Sequence, residues 1–318
     1  MLKSRLYRSV NRYTDASGPW SLIWQTRTRA VCGRRAISEE DYIRWLLQDV
    51  AYEDVVDTDD EGGGLFTQVR NKAIIVYSRK KNTEKPFRRY MKRFADKLCV
   101  IIHLSDEFRS NPIDSYKYAS LVFRNYARQD VPEHVVAYPL GCTLGKVVPE
   151  GYRIKPSSER QYVWSFAGEI NETKSPDRLA AKEAFESLEP NRLRLTNSFE
   201  ESLRGGLDPE EYGAMLNDSV FALCPSGNRS MDTFRHYEAA MYGAIPLVVG
   251  AREELYRAFV QPFAAPFLYS RSWDEARAKV EKLMTEPEKL IAMQSDLLDW
   301  WAQWPSVFRT HLRLLETA

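Results

Sequence analysis

A carboxylate lies on what should be the buried face of a helix in the stretch CPSGNRSMDTFRHYEAAMYGAIPLVV. At 100° per residue, the side chains on that face are Met231, Phe234, Glu238 and Tyr242. A carboxylate among such neighbours is costly unless it is paired or hydrogen-bonded. Two interpretations remain open at this point. Glu238 forms an ion pair with Arg235, three residues earlier, or it accepts hydrogen bonds from the hydroxyls of a ligand.

The turn PSGN, which follows the apolar strand SVFALC, suits an anion. Ser230 is placed to cap the next helix, whose first turn then carries Asp232. A turn at a helix N-terminus presents backbone N–H groups and a positive dipole end to a phosphate or diphosphate, here from Ser226, Gly227 and Asn228. Arg235 adds a planar, permanently charged group. Asp232 opposes an anion unless it caps the helix or contacts a hydroxyl.

Short apolar runs alternate with helical segments on both sides of this turn. The predicted strands are KAIIVYS, KLCVIIHL, SLVFRNY and HVVAYPLG, then YVWSFAG, NRLRLTNS, SVFALC and AIPLVVG. This alternation predicts parallel sheets covered by helices on both faces. A polar passage over 149–160 separates two doubly wound α/β halves, residues 1–150 and 151–318. Ligands of such sheets bind at the carboxyl ends of the strands.

The two ends of the chain carry weaker patterns. DYIRWLLQDVAYEDVV is typical of an amphipathic helix, and DTDDEGGG of an acidic loop. Residues 286–315, rich in Leu and Trp, predict long helices that lie back across the first domain.

Length and composition favour a folded protein of two domains. The 318 residues are 44% hydrophobic, which is enough for a large core. Residues 1–150 hold 25 basic and 19 acidic side chains, and the remainder 20 and 25, so the first half suits an anionic partner. The four cysteines have neither disulfide nor zinc spacing. Without a long apolar run or a signal segment, we expect a soluble cytoplasmic protein.

The run FALCPSGNRSMDTFRHYEAAMYGAIPLVVG resembles the nucleotide-sugar site of exostosin-like glycosyltransferases. SFAGEINETKSPDR is similar to the other donor-side element of that superfamily, a strand that ends in Ala-Gly and is followed by a basic residue. IIHLSDE, LVFRNY and AYPLG look like the acceptor-side strand ends of the branch that includes the ribitol xylosyltransferase. The resemblance covers about residues 98–250.

The resemblance implies a GT-B fold: two Rossmann-like domains with a cleft between them and a C-terminal helix packed back on the first. It implies that Glu238 holds the ribose hydroxyls, that Lys174 or Arg178 lies with Arg235 near the diphosphate, and that Gly168 is a donor-binding residue. Many retaining GT-B enzymes carry a second Glu eight residues before the ribose Glu. Ser230 stands at that position here, which favours an inverting transfer of sugar from a nucleoside diphosphate, UDP in the first instance.

Inverting transfer requires a base for the acceptor proton and positive charge for the leaving diphosphate. HLSDE, at the end of an acceptor-side strand, supplies three candidate bases: His103, Asp106 and Glu107. Asp106 is preferred, although it could instead cap the following helix and His103 could be structural. Arg124 is an acceptor-side or phosphate contact, or the partner of Glu107.

No obligatory metal is expected, because no DxD motif ends a strand and the acidic loop Asp57–Asp60 is typical of a solvated turn. The basic cluster SRKKNTEKPFRRYMKR suits a solvated helix face, a phosphorylated polyol or glycan acceptor, or peripheral attachment to an anionic membrane at its inner face.

Three alternatives compete with this reading. IPLVVGA also resembles the donor motif of fucosyltransferases, which would make the donor a GDP-sugar. The basic cluster could bind nucleic acid, but the chain lacks aromatic ribonucleoprotein motifs, so no nucleic-acid partner is expected. A GT-B-shaped protein could also bind the nucleotide without transferring a sugar.

Overall fold

The computed structural model describes residues 18–26, 39–55, 71–78, 84–143, 146–170, 176–196, 207–227 and 229–317. The chain divides into two compact units. The first comprises Met1–Ile37, Ile43–Leu140 and Pro305–Ala318, and the second Ser38–Tyr42 and Gly141–Trp304. The units part at residue 140, whereas the sequence predicted a boundary near 150, and the last helix returns to the first unit.

The first unit is built on a six-stranded parallel sheet in the order β2-β1-β3-β4-β5-β6. Its strands are β1 (Trp20–Thr26), β2 (Tyr52–Val55), β3 (Lys72–Ser78), β4 (Leu98–Leu104), β5 (Leu121–Arg124) and β6 (Val135–Ala137). Helix α2 (Glu84–Lys92) is short, and so is α1 (Glu40–Leu46), of which only the part from Ile43 onward belongs to this unit. Every residue of β4 is buried, as expected for a strand covered on both faces.

The stretch DYIRWLLQDVAYEDVV differs from the single helix predicted for it. Helix α1 ends at Leu46, and the distal YEDV forms β2, which pairs in parallel with β1 through Trp20 and Tyr52. The pairing provides hydrogen-bond partners for the backbone of β2 at the edge of the sheet. The local hydrophobic periodicity of the sequence does not predict a pairing of this kind. The acidic stretch DTDDEGGG lies outside the described residues.

The C-terminal helix packs on the first unit, which confirms that part of the predicted fold. In this helix, α10 (Trp304–Glu316), the ring of Phe308 stacks on Phe123 of β5 with centroids 3.8 Å apart. Arg309 pairs with Asp49 at 2.7 Å, and Glu316 pairs with Lys72. Aromatic stacking on a buried strand therefore fixes the end of the chain.

The second unit has a five-stranded parallel sheet in the order β11-β10-β9-β7-β8. The strands are β7 (Tyr162–Glu169), β8 (Asn191–Thr196), β9 (Ser219–Leu223), β10 (Ile245–Val249) and β11 (Leu268–Ser270). The helices are α3 (Pro176–Phe185), α4 (Pro209–Asn217), α5 (Phe234–Met241), α6 (Arg252–Leu255), α7 (Gln261–Phe263), α8 (Trp273–Leu283) and α9 (Pro287–Ala302). A π-helical turn, Tyr256–Val260, joins α6 to α7.

The strand order of the second unit fixes where a ligand should bind. If β7 is counted as strand 1, the strand order across the sheet is 2-1-3-4-5. The strand that follows β7 in the chain, β8, lies on one side of β7, and the later strands β9, β10 and β11 lie on the other. The switch point lies between β7 and β9, and ligands of open α/β sheets bind at the carboxyl ends of the strands at this point. The Ala-Gly end of β7 and the PSGN turn after β9 meet there.

No helix among the described residues is long and apolar enough to cross a membrane.

Helix α5 carries a buried histidine in an aromatic core. The ring of His236 lies 4.8 Å from Phe259 and 5.8 Å from Phe267, centroid to centroid, and its Nδ1 accepts a hydrogen bond from the backbone N–H of Thr233 at 3.3 Å. Burial lowers the pKa of His236 to about 3. The ring is therefore neutral at physiological pH, and its Nδ1 also lies 3.0 Å from the carbonyl oxygen of Thr233 at the helix start.

We predict that His236 weakens the fold in acid. The unfolded chain takes up a proton near pH 6.5, whereas the folded pKa is about 3, so the stabilisation is complete above about pH 6.5 and is lost as the pH falls toward 3. His236→Gln should remove up to about 1.4 kcal/mol per pH unit from the slope of the unfolding free energy in that window. Urea unfolding at pH 7.5, 6, 5 and 4 measures the slope. Equal slopes for wild type and variant would contradict the prediction.

Candidate functional site

Arg235 lies at the switch point of the second unit, in the first turn of α5. Its guanidinium donates to the carbonyl oxygen of Ala167 at 3.2 Å and lies 4.9 Å from the ring of Phe166, both on β7. Its Nε has no hydrogen-bond partner among the described residues. A cation at a helix N-terminus opposes the helix dipole, so its own position does not stabilise the helix. An anion there would interact favourably with both.

Gly168 leaves room for that guanidinium. Its φ of +152° is a conformation that side-chain-bearing residues rarely adopt, and a Cβ at this position would lie 2.8 Å from Arg235 Nη2. Arg178, on α3, donates to the neighbouring carbonyl of Glu169 at 3.0 Å. The end of β7 thus gathers Gly168, Arg178 and Arg235, three of the predicted donor-side residues.

The PSGN turn is held differently from the prediction. The N–H of Ser226 donates to Asp177 Oδ2 at 2.7 Å, and the N–H of Gly227 donates to the carbonyl of Ser230 at 2.8 Å. Asp177 Oδ1 also accepts from Trp273 Nε1 at 2.7 Å, which anchors the turn to α8. These two backbone donors are occupied by protein groups, so the turn shapes the site without offering both N–H groups to an anion.

The helix after the turn begins later than the sequence indicated. Thr233, not Ser230, is the N-cap of α5, and the Ser230 hydroxyl accepts from the N–H of Asp232 at 3.2 Å. Asp232 is buried and accepts a hydrogen bond from the Tyr237 hydroxyl at 2.7 Å. Asp232 thus contacts a hydroxyl group, that of Tyr237, and does not cap the helix.

Glu238 is 3% exposed, and its Oε1 accepts hydrogen bonds from Thr143 and Lys146. Lys146 Nζ donates at 3.1 Å, and Thr143 donates from Oγ1 at 3.2 Å and from its N–H at 3.4 Å. The partner of the carboxylate is thus Lys146 and not Arg235, which corrects the ion-pair interpretation. The pair is asymmetric, because the Lys146 side chain is 26% exposed and that of Glu238 only 5%.

Tyr212 completes the surroundings of this carboxylate. Lys146 Nζ lies 4.4 Å from the centre of the Tyr212 ring, a cation–π contact. Burial, and then the negative charge of Glu238, raises the pKa of Tyr212 well above its usual value, so its hydroxyl stays protonated. The Thr143 hydroxyl and the Lys146 ammonium group donate to Glu238, and the hydroxyl groups of a ligand could donate to the same carboxylate in their place.

In the first unit, Asp106 and Arg124 form a buried ion pair after β4 and at the end of β5. Arg124 is 1% exposed and Asp106 3%. Asp106 also accepts from the N–H of Ser110 at 3.1 Å and from the N–H of Asn111 at 3.2 Å. Both carboxylate oxygens are therefore occupied, which suits an anchor for the turn 106–111 better than a base with a free oxygen.

His103 lies in the same network. Its Nδ1 contacts the Tyr116 hydroxyl and, at 3.1 Å, Arg124 Nη1, while its Nε2 lies 3.2 Å from Asn111 Nδ2. Arg124 Nη1 also donates to the Tyr116 hydroxyl at 2.7 Å. His103 is fully buried with both ring nitrogens engaged, so it supports Arg124 and does not face solvent.

The anchored turn displays Glu107 and Phe108 at its surface. Glu107 is part-exposed, and the Phe108 ring is 66% exposed. Ser105 and Arg109 on either side have φ of 59° and 51°, a left-handed conformation that is unusual for residues other than glycine. Such backbone is maintained only where its surroundings enforce it, here through Asp106. Arg124 pairs with Asp106, so the alternative pairing with Glu107 is not the one observed.

The sequence of residues 147–317 matches the family described as the RXYLT1 C-terminal domain. The chain belongs to this family. Membership together with the fold makes it a glycosyltransferase, which confirms the predicted enzyme class. No curated protein matches the chain by sequence.

Solved structures support the GT-B fold. The chain is similar to an α-glucosyltransferase (AGT) in complex with UDP, with a TM-score of 0.55, 10% identity and coverage of 95% of this chain and 100% of that one. It is also similar to Alr3699/HepE of Anabaena in complex with UDP, with a TM-score of 0.50, 12% identity and coverage of 95% and 100%. At these identities the likeness shows the fold alone.

Several residues that contact the candidate site of this glycosyltransferase were not predicted from the sequence. Lys146, Thr143, Tyr212 and Asp177 contact site residues, but they are distant in sequence; Lys146 and Glu238, for example, are 92 positions apart. Asp177, in the first turn of α3, carries only the signal of a helix start. Two predicted donor-side residues, Lys174 and Asn228, lie outside the described residues. Within the described part of the chain, no group of three or more His, Cys, Asp or Glu residues is placed to hold a metal ion.

We predict that Asp106→Asn destabilises the first unit. The substitution leaves Arg124 buried without its counter-charge, which typically costs about 3–5 kcal/mol of unfolding free energy. Asp130→Asn is the matched control, since Asp130 pairs with Arg128 at the surface and should leave stability close to wild type. Urea unfolding measures both. Wild-type stability of Asp106→Asn combined with lost turnover would instead assign Asp106 to catalysis.

Proposed function

We propose that this glycosyltransferase moves a sugar from UDP-sugar to a hydroxyl group of a glycan or phosphorylated polyol, with inversion at the anomeric carbon. The two similar structures that support the fold were both solved with UDP. The resemblance of the stretch Cys224–Val249 to exostosin-like enzymes supports a place in that branch, and Ser230, in the position of a second Glu, supports inversion.

The observation that carries the proposal is the position of Arg235. Its guanidinium is part-exposed at the switch point of the sheet and is held flat by Phe166 and by the carbonyl of Ala167. The N-terminus of α5 adds a positive partial charge beside it. A diphosphate satisfies both, and charge at this point also stabilises the leaving group as the glycosidic bond breaks.

Glu238 is proposed to hold the ribose. In the described structure Thr143 and Lys146 donate to its Oε1. Ribose hydroxyls are donors of the same kind, and Lys146, which is part-exposed, is free to withdraw toward solvent. Glu238 then exchanges protein donors for ligand donors, so the carboxylate remains hydrogen-bonded in both states, as a buried charge requires.

Glu107 is the proposed base among the three candidates. Asp106 and His103 are buried, whereas Glu107 is part-exposed just after the carboxyl end of β4. Its carboxylate takes the proton of the acceptor hydroxyl, the oxygen attacks the anomeric carbon, and UDP departs with the electrons of the broken bond. The exposed ring of Phe108 supplies an apolar surface beside Glu107 for the acceptor.

Other features of the proposal follow from the sequence. Transfer is proposed to need no metal ion, because Arg235 and the N-terminus of α5 supply the positive charge for the diphosphate.

In the basic cluster, Arg88, Arg89, Lys92 and Arg93 lie in or just after α2, and Arg89 and Lys92 are exposed. They are proposed to contact a phosphorylated acceptor or an anionic membrane surface, and a cytoplasmic location is part of the same proposal. Family and fold favour the transferase over a nucleic-acid-binding protein.

We predict that the end of β7 determines nucleotide affinity. Arg235→Ala should raise the Kd of UDP by about 10- to 100-fold, the loss expected for a charge-assisted hydrogen bond. Gly168→Ala should weaken UDP binding through displacement of the Arg235 guanidinium. Lys182→Ala, a change of a part-exposed cation that pairs with Glu186 on α3, should not. Calorimetric titration with UDP and with GDP measures these values. Tighter binding of GDP would favour the fucosyltransferase-like alternative, and unchanged UDP affinity in Arg235→Ala would contradict this site.

We predict that Glu107→Gln impairs turnover and leaves nucleotide binding intact. Loss of a general base typically costs about 10²- to 10⁴-fold in rate. UDP release from UDP-sugar, with water as the acceptor and EDTA present, is the measurement, and Glu133→Gln, an exposed acid of the same unit, is the control. Wild-type turnover of Glu107→Gln would reject Glu107 as the base. Loss of wild-type turnover in EDTA, restored by a divalent cation, would reject metal independence.

A further inference from the structure

A cavity of about 590 Å³ opens in the second unit, away from the β7–β9 switch point. It lies at the carboxyl ends of β10 and β11, where the N–H of Gly250 donates to the carbonyl of Ser270 at 3.1 Å. Its volume is typical of small-molecule sites. Its walls come from α6, the π-helical turn, β11 and α8 and include Arg252, Leu255, Tyr256, Val260, Ser270 and Arg271.

The charge around this cavity is not balanced. Its two acidic residues are engaged: Glu253 pairs with Arg257 at 2.5 Å, and Glu275 pairs with Lys279 at 2.7 Å. Glu275 also accepts from the N–H of Arg271 at 3.0 Å. The guanidinium groups of Arg252 and Arg271 are exposed and make no ion pair within the part of the chain that the structure describes. Positive charge is therefore available to an anion here.

The wall of the cavity also offers an aromatic ring and a buried hydroxyl. The π-helical turn begins at Tyr256, which is 53% exposed, and ends at Val260, and both residues line the cavity. Turns of this type inside helices are frequent at functional sites. Ser270, which lines the cavity, is 3% exposed, and its Oγ has no partner among the described residues.

We propose that this cavity is a second ligand site, which binds a phosphate monoester with a ring or short apolar group. The phosphate meets Arg252 and Arg271, whose planar groups match phosphate oxygens. The ring packs against Tyr256 and the apolar side chains of Leu255 and Val260. The site is separate from the nucleotide site, because none of Gly168, Arg235 and Glu238 lines the cavity.

Phenyl phosphate, which joins a phosphate to a ring, is the probe, titrated calorimetrically into the full chain in the presence of saturating UDP. Arg252→Ala and Arg271→Ala should each raise its Kd by about tenfold. Tyr256→Ala should weaken it, whereas Tyr256→Phe should not. Lys282→Ala is the matched control, since it removes an exposed cation from α8 outside the cavity and should change nothing.

Inorganic phosphate and phenol separate the two parts of the ligand, and both should bind more weakly than phenyl phosphate. Near-UV circular dichroism verifies that each variant is folded. Absence of binding by phenyl phosphate, an unchanged Kd in the Arg252→Ala, Arg271→Ala double variant, or displacement of the probe by UDP would overturn the proposal. Equal affinity for phenyl phosphate and inorganic phosphate would overturn the role of Tyr256.

Discussion

A buried carboxylate must always have donors, and the second unit is organised around that requirement at Glu238. The side chain lies on the inner face of α5, where it cannot reach bulk water, and Thr143 and Lys146 bring donors to it from a distant part of the chain. If both donors were lost without replacement, the cost would be several kcal/mol. A ligand whose hydroxyl groups donate to Glu238 would remove that cost. In the proposed function, the hydroxyl groups of the ribose are these donors.

The positive charge of the site depends on a second constraint, the close packing of β7 against α5. Arg235 fits over Phe166 because Gly168 has no side chain, and its φ of +152° lets the strand end turn away. Asp177 ties the turn after β9 to α8 through Ser226 and Trp273. Arg235 and Glu238 are the two groups to which the proposed function assigns the diphosphate and the ribose.

The first unit uses its buried charges differently. Asp106 and Arg124 neutralise each other below the surface, and His103, Tyr116 and Asn111 engage further atoms of the network, while Arg124 Nε has no hydrogen-bond partner among the described residues. The network lies under a turn that has left-handed residues on both sides of a part-exposed acid and an exposed ring. The proposed function therefore uses Glu107 and Phe108, which lie on the turn above the network. It does not use the buried residues Asp106, His103 and Arg124 as catalytic groups.

Much of the fold follows from the sequence, because buried parallel strands are continuous apolar runs. KAIIVYS and AIPLVVG contain β3 and β10 almost residue for residue. β2 was mistaken for helix, since its pairing with β1 leaves no local trace.

The site was predictable only in part. Local spacing placed Glu238 on the inner face of α5 but did not identify its partner Lys146. It also could not show that the Tyr237 hydroxyl donates to Asp232 or that Thr233 is the N-cap of α5. Asp106 illustrates the same limit. Its position after β4 is readable from the sequence, whereas its ion pair with Arg124 requires the register of two strands.

A crystal structure with a bound UDP-sugar is the most direct test of the central claim. The account predicts that the ribose hydroxyls bond to Glu238, that Lys146 Nζ withdraws from Oε1, and that the diphosphate lies against Arg235. A nucleotide bound elsewhere, with Thr143 and Lys146 still donating to Glu238, would contradict it.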